Sequence, residues 1–195
     1  MKDIFTGKLV RLSAFDPEEM SKAIPRWNRN SEYFRLLNSS ARPMYSSKSA
    51  AKWLEEEVSE MSLESYYFSI RTLAEEKLIG EANLDVVNWP GRDAFVALGI
   101  GEPEYWSKGY GTDVMNVLLR FAFMEINLRR VSLGVFEYNP RAIRSYEKAG
   151  FRHEGRLRSL LLREGRRWDN LFMGILREEW LERNAFVVAE ATVGA

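Results

Sequence analysis

Seven residues constrain this chain more than any others: Trp106-Ser107-Lys108-Gly109-Tyr110-Gly111-Thr112, set between two apolar runs. Upstream, Ala94-Phe95-Val96-Ala97-Leu98-Gly99-Ile100-Gly101 reads as a buried strand. Downstream, Val114, Val117, Leu118, Phe121 and Ala122 recur at the spacing of an inward helix face. Strand, glycine turn, helix is the arrangement that aims free backbone N–H groups at an anion. Gly109 and Gly111 leave out Cβ atoms where a phosphate would approach the main chain, and Lys108 adds a positive charge beside them. The expectation is a pyrophosphate cradle. Its spacing is neither that of a G-x-x-x-x-G-K-[ST] nucleotide loop nor that of a G-x-G-x-x-G dinucleotide turn. An ordinary glycine-bearing turn is the plain alternative.

A second unit of the same kind follows. Val131 to Val135 is a short apolar strand, and beyond Phe136-Glu137-Tyr138 runs Asn139-Pro140-Arg141-Ala142-Ile143-Arg144-Ser145-Tyr146-Glu147-Lys148-Ala149-Gly150-Phe151. Asn139 suits a helix N-cap, Pro140 the first turn and Gly150 the C-terminal stop. Two such units in succession, each opening on a turn suited to a ligand, belong to one site.

Together, Pro103 to Thr112 and Asn139 to Phe151 resemble the GCN5-related N-acetyltransferases, most closely the branch of ribosomal-protein N-terminal and spermidine acetyltransferases. Glu154-Gly155-Arg156 with Glu164 to Asp169 is similar to the family's closing hairpin, and Gly7 to Leu12 to its first strand. Where the family carries Gln or Arg at the head of the glycine motif, this chain has Trp106. The resemblance, from about Gly7 to Trp180, implies an α+β fold with a strongly bent, mixed sheet of about seven strands flanked by helices. Residues 1–184 would form one domain, with 185–195 as a C-terminal tail.

The resemblance also implies acetyl-CoA as cofactor. Trp106, Ser107, Lys108, Gly109, Tyr110, Gly111, Thr112 and Asn139 would hold it. Main-chain groups of Gly99, Ile100 and Gly101 would take the pantetheine arm where parallel strands splay. The acceptor would be a primary amine: a protein N-terminus, a polyamine or a small amino compound. A non-catalytic acyl-CoA sensor is the alternative. The expected assembly is a homo-oligomer, a dimer first.

Composition narrows the setting. At 195 residues the chain suits one domain with a substantial core. Its 28 basic and 28 acidic residues cancel, so no overall field draws nucleic acid or an anionic membrane. The absence of cysteine excludes disulfides, thiolate nucleophiles and thiolate metal sites; no metal is expected. It also fits a reducing cytoplasm. Met1 to Thr6 lacks a signal peptide's apolar core, and no apolar run has the length of a membrane span.

In chain order, Leu9 to Leu12 reads as a strand, and Asp16 caps a helix whose apolar face is Met20, Ala23, Ile24 and Trp27. A short helix follows from Ser31 with Tyr33 and Phe34. A third, Ser47 to Met61, would turn Ala51, Trp53, Leu54 and Val58 inward. Most of these aromatics belong in a core, with one or two left to line an acceptor site. Tyr66 to Leu73 and Leu78 to Val87 read as paired strands. In the second, Glu81, Asn83 and Asp85 share one face because side chains alternate. That face is either solvated or an acidic wall for an amine. Two long strands around 163–167 and a short helix near Trp180 complete the chain.

Acetyl transfer from a thioester to an amine, by direct attack through a tetrahedral intermediate, needs a base for the amine, a donor for the oxyanion and an acid for the departing thiolate. A phenol stays protonated at pH 7, and Tyr146 matches the tyrosine to which the family assigns the acid's role. The family's glutamate on the strand before the cradle has no counterpart between Ala94 and Gly101. Glu81 or Asp85, acting through water, is the first choice of base and Glu102 the second. His153, the only histidine, reads as structural or exposed.

Overall fold

The computed structural model describes residues 3–41, 45–59 and 64–185. Within them, seven strands form one mixed sheet in the order β1-β2-β3-β4-β5-β7-β6. The strands are β1 (Val10–Ala14), β2 (Ser65–Thr72), β3 (Leu78–Asn88), β4 (Asp93–Ile100), β5 (Arg130–Phe136), β6 (Arg152–Arg163) and β7 (Arg166–Leu176). Every neighbouring pair is antiparallel except β4 and β5. The helices are α1 (Pro17–Trp27), α2 (Ser31–Leu37), α3 (Ser47–Ser59), α4 (Tyr110–Arg120), α5 (Pro140–Ala149) and α6 (Arg177–Arg183).

The helix starts follow from short polar side chains. Asp16 accepts from the N–H groups of Glu18 and Glu19, Asn30 from those of Glu32 and Tyr33, and Asn139 from that of Ala142. Each satisfies donors that the first turn of a helix leaves unpaired. Glu164 and Gly165 both take positive φ, 54° and 70°, the geometry that lets a two-residue turn match the twist of its strands. The expected boundaries therefore close inward: β6 runs to Arg163 and β7 begins at Arg166.

Alternation along β2, β3 and β4 builds two layers. Phe68, Ile70, Ala82, Leu84, Val86, Ala94 and Val96 face the main core, packed against Val114, Leu118 and Phe121 beyond α4's first turn. On the other face, Met20, Ala23, Ile24 and Trp27 of α1 meet Tyr33, Leu54 and Leu78 in a second cluster. The predicted inner face of α3 is off by a step. Ala50 and Leu54 are buried, whereas Trp53 is exposed and stacks flat on Tyr45 at 6.1 Å. Met61, the side chain of Val58 and all of the tail beyond Ala185 lie outside the described residues.

One carboxylate ties the N-terminal segment to the glycine-turn helix. Asp113, in the first turn of α4 and buried, accepts from the N–H groups of Lys8 (2.8 Å), Leu9 (2.7 Å) and Val10 (3.1 Å). Gly7 completes the fit, because a Cβ there would stand 2.3 Å from an Asp113 oxygen. Asp113→Ala leaves those donors unanswered. The loss should be about 3 kcal/mol, or about 6–12 °C in Tm for a chain of this size. An unchanged melting curve would mean that the contact does not hold the segment in place.

Candidate active site

β4 and β5, the sheet's parallel pair, stay together only from Asp93↔Arg130 to Phe95↔Ser132. Beyond that point β4 follows β3 to Ile100, and β5 follows β7 to Phe136. Each strand twists with its own antiparallel partner, so the two part. A cavity of about 450 Å³ opens between them. Val96 to Ile100 line one side and Gly134 to Phe136 the other, with the opening turns of α4 and α5 and residues Tyr33, Leu36 and Leu37 around it.

Backbone parity decides which groups face the gap. Gly101 N–H donates to the Ile79 carbonyl at 2.8 Å, away from β5. Arg129 N–H, leading into β5, donates to the Arg92 carbonyl at 2.8 Å. Successive residues of a strand turn their backbone groups to opposite edges. Gly99 and Gly101 therefore face β3, and Leu98 and Ile100 face the gap. Of the three residues expected to take the pantetheine arm, Gly99, Ile100 and Gly101, only Ile100 turns its backbone groups to the gap, while the two glycines turn theirs to β3. Gly101 is small for a packing reason, since a Cβ there would lie 2.1 Å from the Trp27 ring.

The glycine turn supplies backbone. Gly109 caps α4 at φ 92°, a conformation open to few residues other than glycine. Asp113 N–H already reaches Gly109 O, while the N–H groups of Tyr110, Gly111 and Thr112 have no partner within the helix. A Cβ on Gly111 would enter the gap between Ser145 Oγ at 3.5 Å and Leu98 Cδ1 at 4.0 Å. Ser107, Gly109, Gly111 and Thr112 line the cavity, and Thr112 Oγ1 sits 2.8 Å from Ser145 Oγ. Lys108 and Tyr110 do not line it. Lys108 is exposed, and Tyr110 packs edge-on against Tyr105 at 4.9 Å.

Trp106 does something different from the residue it replaces. Its indole Nε1 donates to the Ile100 carbonyl at 2.7 Å, so it fixes the strand edge. The Arg141 guanidinium lies 4.1 Å from the centre of its ring, and Arg141 lines the cavity. A positive charge is thus delivered from α5 across the face of Trp106. Arg141, Arg144, Ser145 and Lys148 all line the cavity. Their i, i+3, i+4, i+7 spacing was the available signal for this stripe. Asn139 lines the cavity too, its Oδ1 held by Ala142 N–H at 3.1 Å.

The titratable groups separate into roles. Tyr146 lines the cavity, and burial pushes its phenol up to about 12. Glu81 sits directly across the β3–β4 ladder from Gly99, one strand behind the lining, and burial raises its carboxyl to about 7. Tyr33 lines the cavity beside Gly99. Its hydroxyl is held well above the ordinary range by burial first and by the charge of Glu81 second. Asp85 is not brought to this place. It pairs with Phe95, four residues along the ladder and roughly 13 Å away, and accepts from Asn83 Nδ2. Glu102 is occupied by Arg26 and by Trp27 Nε1. His153 meets Glu147 on the surface at 3.1 Å.

Unpaired strand-edge amides, two helix starts and a basic stripe suit a long ligand with amide groups and phosphates. Known proteins point the same way. Residues 10–152 match the family model described as Acetyltransferase (GNAT) domain. The uncharacterized N-acetyltransferase YokL of Bacillus subtilis is 27% identical over 90% of this chain and 94% of its own. The spermidine N(1)-acetyltransferase of Vibrio cholerae is 34% identical over 57% of this chain and 64% of its own length. A crystal structure of spermidine N-acetyltransferase from Vibrio cholerae in complex with CoA and spermine superposes with a TM-score of 0.76. It covers 88% of this chain and 98% of that one at 25% identity. The chain belongs to the GNAT acetyltransferases, acyl-CoA-dependent enzymes whose cofactor is acetyl-CoA.

Proposed function

We propose that this enzyme acetylates the primary amine of a small molecule, with Glu81 as the base and Tyr146 as the hydrogen-bond donor to the departing thiolate. The observation that carries this reading is the position of Glu81. It is a carboxyl titrating at about 7, set across one ladder step from the cavity wall at Gly99. The likeness to spermidine acetyltransferase of Vibrio cholerae, in sequence and in structure, supports a small amine over a protein N-terminus. A polyamine is the first acceptor to try. The sensor alternative draws on the lack of a carboxylate between Ala94 and Gly101, and Glu81 on β3 offers a carboxylate in its place.

When bound, acetyl-CoA supplies an activated acetyl thioester. This chain's part is to hold and to move protons. The N–H groups of α4's first turn and the Arg141, Arg144 and Lys148 side chains would hold the cofactor's phosphates. Leu98 and Ile100 would offer backbone groups to its amide arm and an N–H to the thioester oxygen. Glu81, ionised above about pH 7, takes the proton that the amine must lose. A phenol near 12 is a weaker acid than a thiol near 8.5, so Tyr146 would stabilise a departing thiolate by donating a hydrogen bond.

Two further expectations belong to this reading. The edge strand β6 exposes Leu157, Leu160 and Leu162 along an unpaired backbone, which supports self-association of two copies. Among the described residues no helix is long and apolar enough to cross a membrane. The cysteine-free sequence favours a cytoplasmic setting.

Tyr146→Phe keeps the buried ring and removes one hydrogen bond to a developing charge. Its kcat should fall about 10- to 100-fold, with acetyl-CoA affinity by calorimetry unchanged. A loss of affinity at constant kcat would make the hydroxyl a cofactor anchor. For Glu81, the rise of kcat/KM with pH should be centred near 7, and Glu81→Gln should abolish that limb and cost about 10²–10⁴ in rate. Stability gives a second readout. A carboxyl whose pKa is raised on folding, from 4.5 to about 7, loses its contribution as pH rises through 7. Glu81→Gln should therefore match the parent's Tm at pH 4 and exceed it at pH 8. Equal melting at both would place the carboxyl in solvent. For assembly, light scattering should give a dimer mass that Leu160→Lys reduces to the monomer's. A monomeric parent would withdraw β6 as an interface.

A further inference from the structure

Polar side chains meet just behind the cavity wall, and two of their buried hydroxyls lack the hydrogen bonds expected of them. Asn30 caps α2, and the helix then directs Tyr33 inward beside Leu36 and Leu37. The Tyr33 ring stands edge-on to Trp27 at 6.2 Å. Its hydroxyl lies 2.7 Å from where a Cβ of Gly99 would be, so the glycine makes room for it. That hydroxyl is buried and has no partner. Across the ladder, Ser69 of β2 faces Glu81, which faces Gly99. Ser69 is 0% exposed, and its Oγ also has no partner.

A buried hydroxyl left unpaired costs about 1–3 kcal/mol. Phenylalanine at position 33 and alanine at 69 would fill nearly the same space without that cost. Three polar groups from three elements, with hydrogen-bonding capacity left over, define a site for an ordered water. Tyr33 alone among them lines the cavity, and Glu81 does not. Tyr33 thus touches both the cavity that it lines and, through its buried hydroxyl, the charge of Glu81.

We propose that Tyr33 relays the amine's proton to Glu81 through a water held by Ser69 Oγ. This rests on the reading of Glu81 given above. One N–H bond of the ammonium breaks as an O–H bond forms at Tyr33. The original phenolic proton passes to the water, and a proton of that water passes to the Glu81 carboxylate. At the end the amine is neutral, Glu81 is protonated, and Tyr33 and the water are restored. A phenol that resists ionisation suits the task, because it gives up its proton only as it receives another.

The test compares the parent, Tyr33→Phe and Ser69→Ala with acetyl-CoA and primary amines of descending basicity, from an alkylamine to trifluoroethylamine. With the alkylamine, Tyr33→Phe should lower kcat/KM at least tenfold and leave acetyl-CoA affinity unchanged. With trifluoroethylamine, largely unprotonated at neutral pH, the deficit should close. Ser69→Ala should show the same pattern, smaller. A loss uniform across the series makes Tyr33 a packing residue, and no loss removes it from the reaction; either outcome overturns the relay. A parent that responds to Glu81→Gln yet ignores Tyr33→Phe sinks the relay alone. A parent that acetylates these amines without needing Glu81 sinks the base as well.

Discussion

The brevity of the β4–β5 pairing governs what the rest of this structure can do. Three parallel residue pairs join the two halves of the sheet, and then each strand leaves with its own antiparallel partner. A longer parallel ladder would satisfy the backbone of Leu98 and Ile100 and close the cavity. A shorter one would leave the halves unattached. Because the strands part at the level of Val96 and Leu133, a strand edge is left with free donors and acceptors in the middle of a protein. Such an edge is costly unless something pairs with it. Trp106 takes one carbonyl, at Ile100. The remaining capacity is open to a ligand in the cavity.

Two clamps keep that gap in shape. On one side Asp113 gathers three N–H groups of the N-terminal segment and locks the start of α4 against β1. On the other side the β6–β7 hairpin holds α2. Arg163 donates to the carbonyls of Arg35 at 2.6 Å and Asn38 at 2.8 Å, and the Tyr138 hydroxyl donates to Arg35 O at 2.7 Å. These carbonyls belong to the end of α2, where a helix leaves acceptors unpaired and a cation is favoured. The late hairpin thereby fixes Tyr33, Leu36 and Leu37 over the cavity, although it lies more than a hundred residues away in sequence.

How far the sequence carried the argument depends on what each feature is made of. Caps and periodicity are local, so Asp16, Asn139 and Gly150 marked helix ends, and alternation put Glu81 opposite Ala82 and Leu84. The side toward which a backbone amide points is set by register with a neighbouring strand. Nothing within Leu98-Gly99-Ile100-Gly101 declares that Leu98 faces the gap and Gly101 does not. Gly101 looked like a ligand contact for the same reason that it is glycine at all: something comes close, and that something is Trp27. Glu81 and Asp85 were indistinguishable along one strand face. Only the ladder shows that Gly99 lies opposite one and Phe95 opposite the other. Arg141 was legible as part of a basic helical stripe, but its seat on Trp106 needed two elements to meet.

One physical cause, burial, shifts both titratable groups in the same direction and to different ends. It penalises the charged form of a carboxyl and of a phenol alike. Starting from 4.5, Glu81 arrives at about 7, where a base can accept a proton and still be free of it at neutral pH. Starting from 10.0, Tyr146 arrives at about 12, where ionisation is out of reach and the hydroxyl can only donate. The proposed division of labour therefore needs no special charge partner for either residue. It needs a phenol in the cavity lining and a carboxyl buried one strand behind that lining. The strand parting provides the placement, and Leu36, Leu37 and Val96 add apolar surface to the cavity wall.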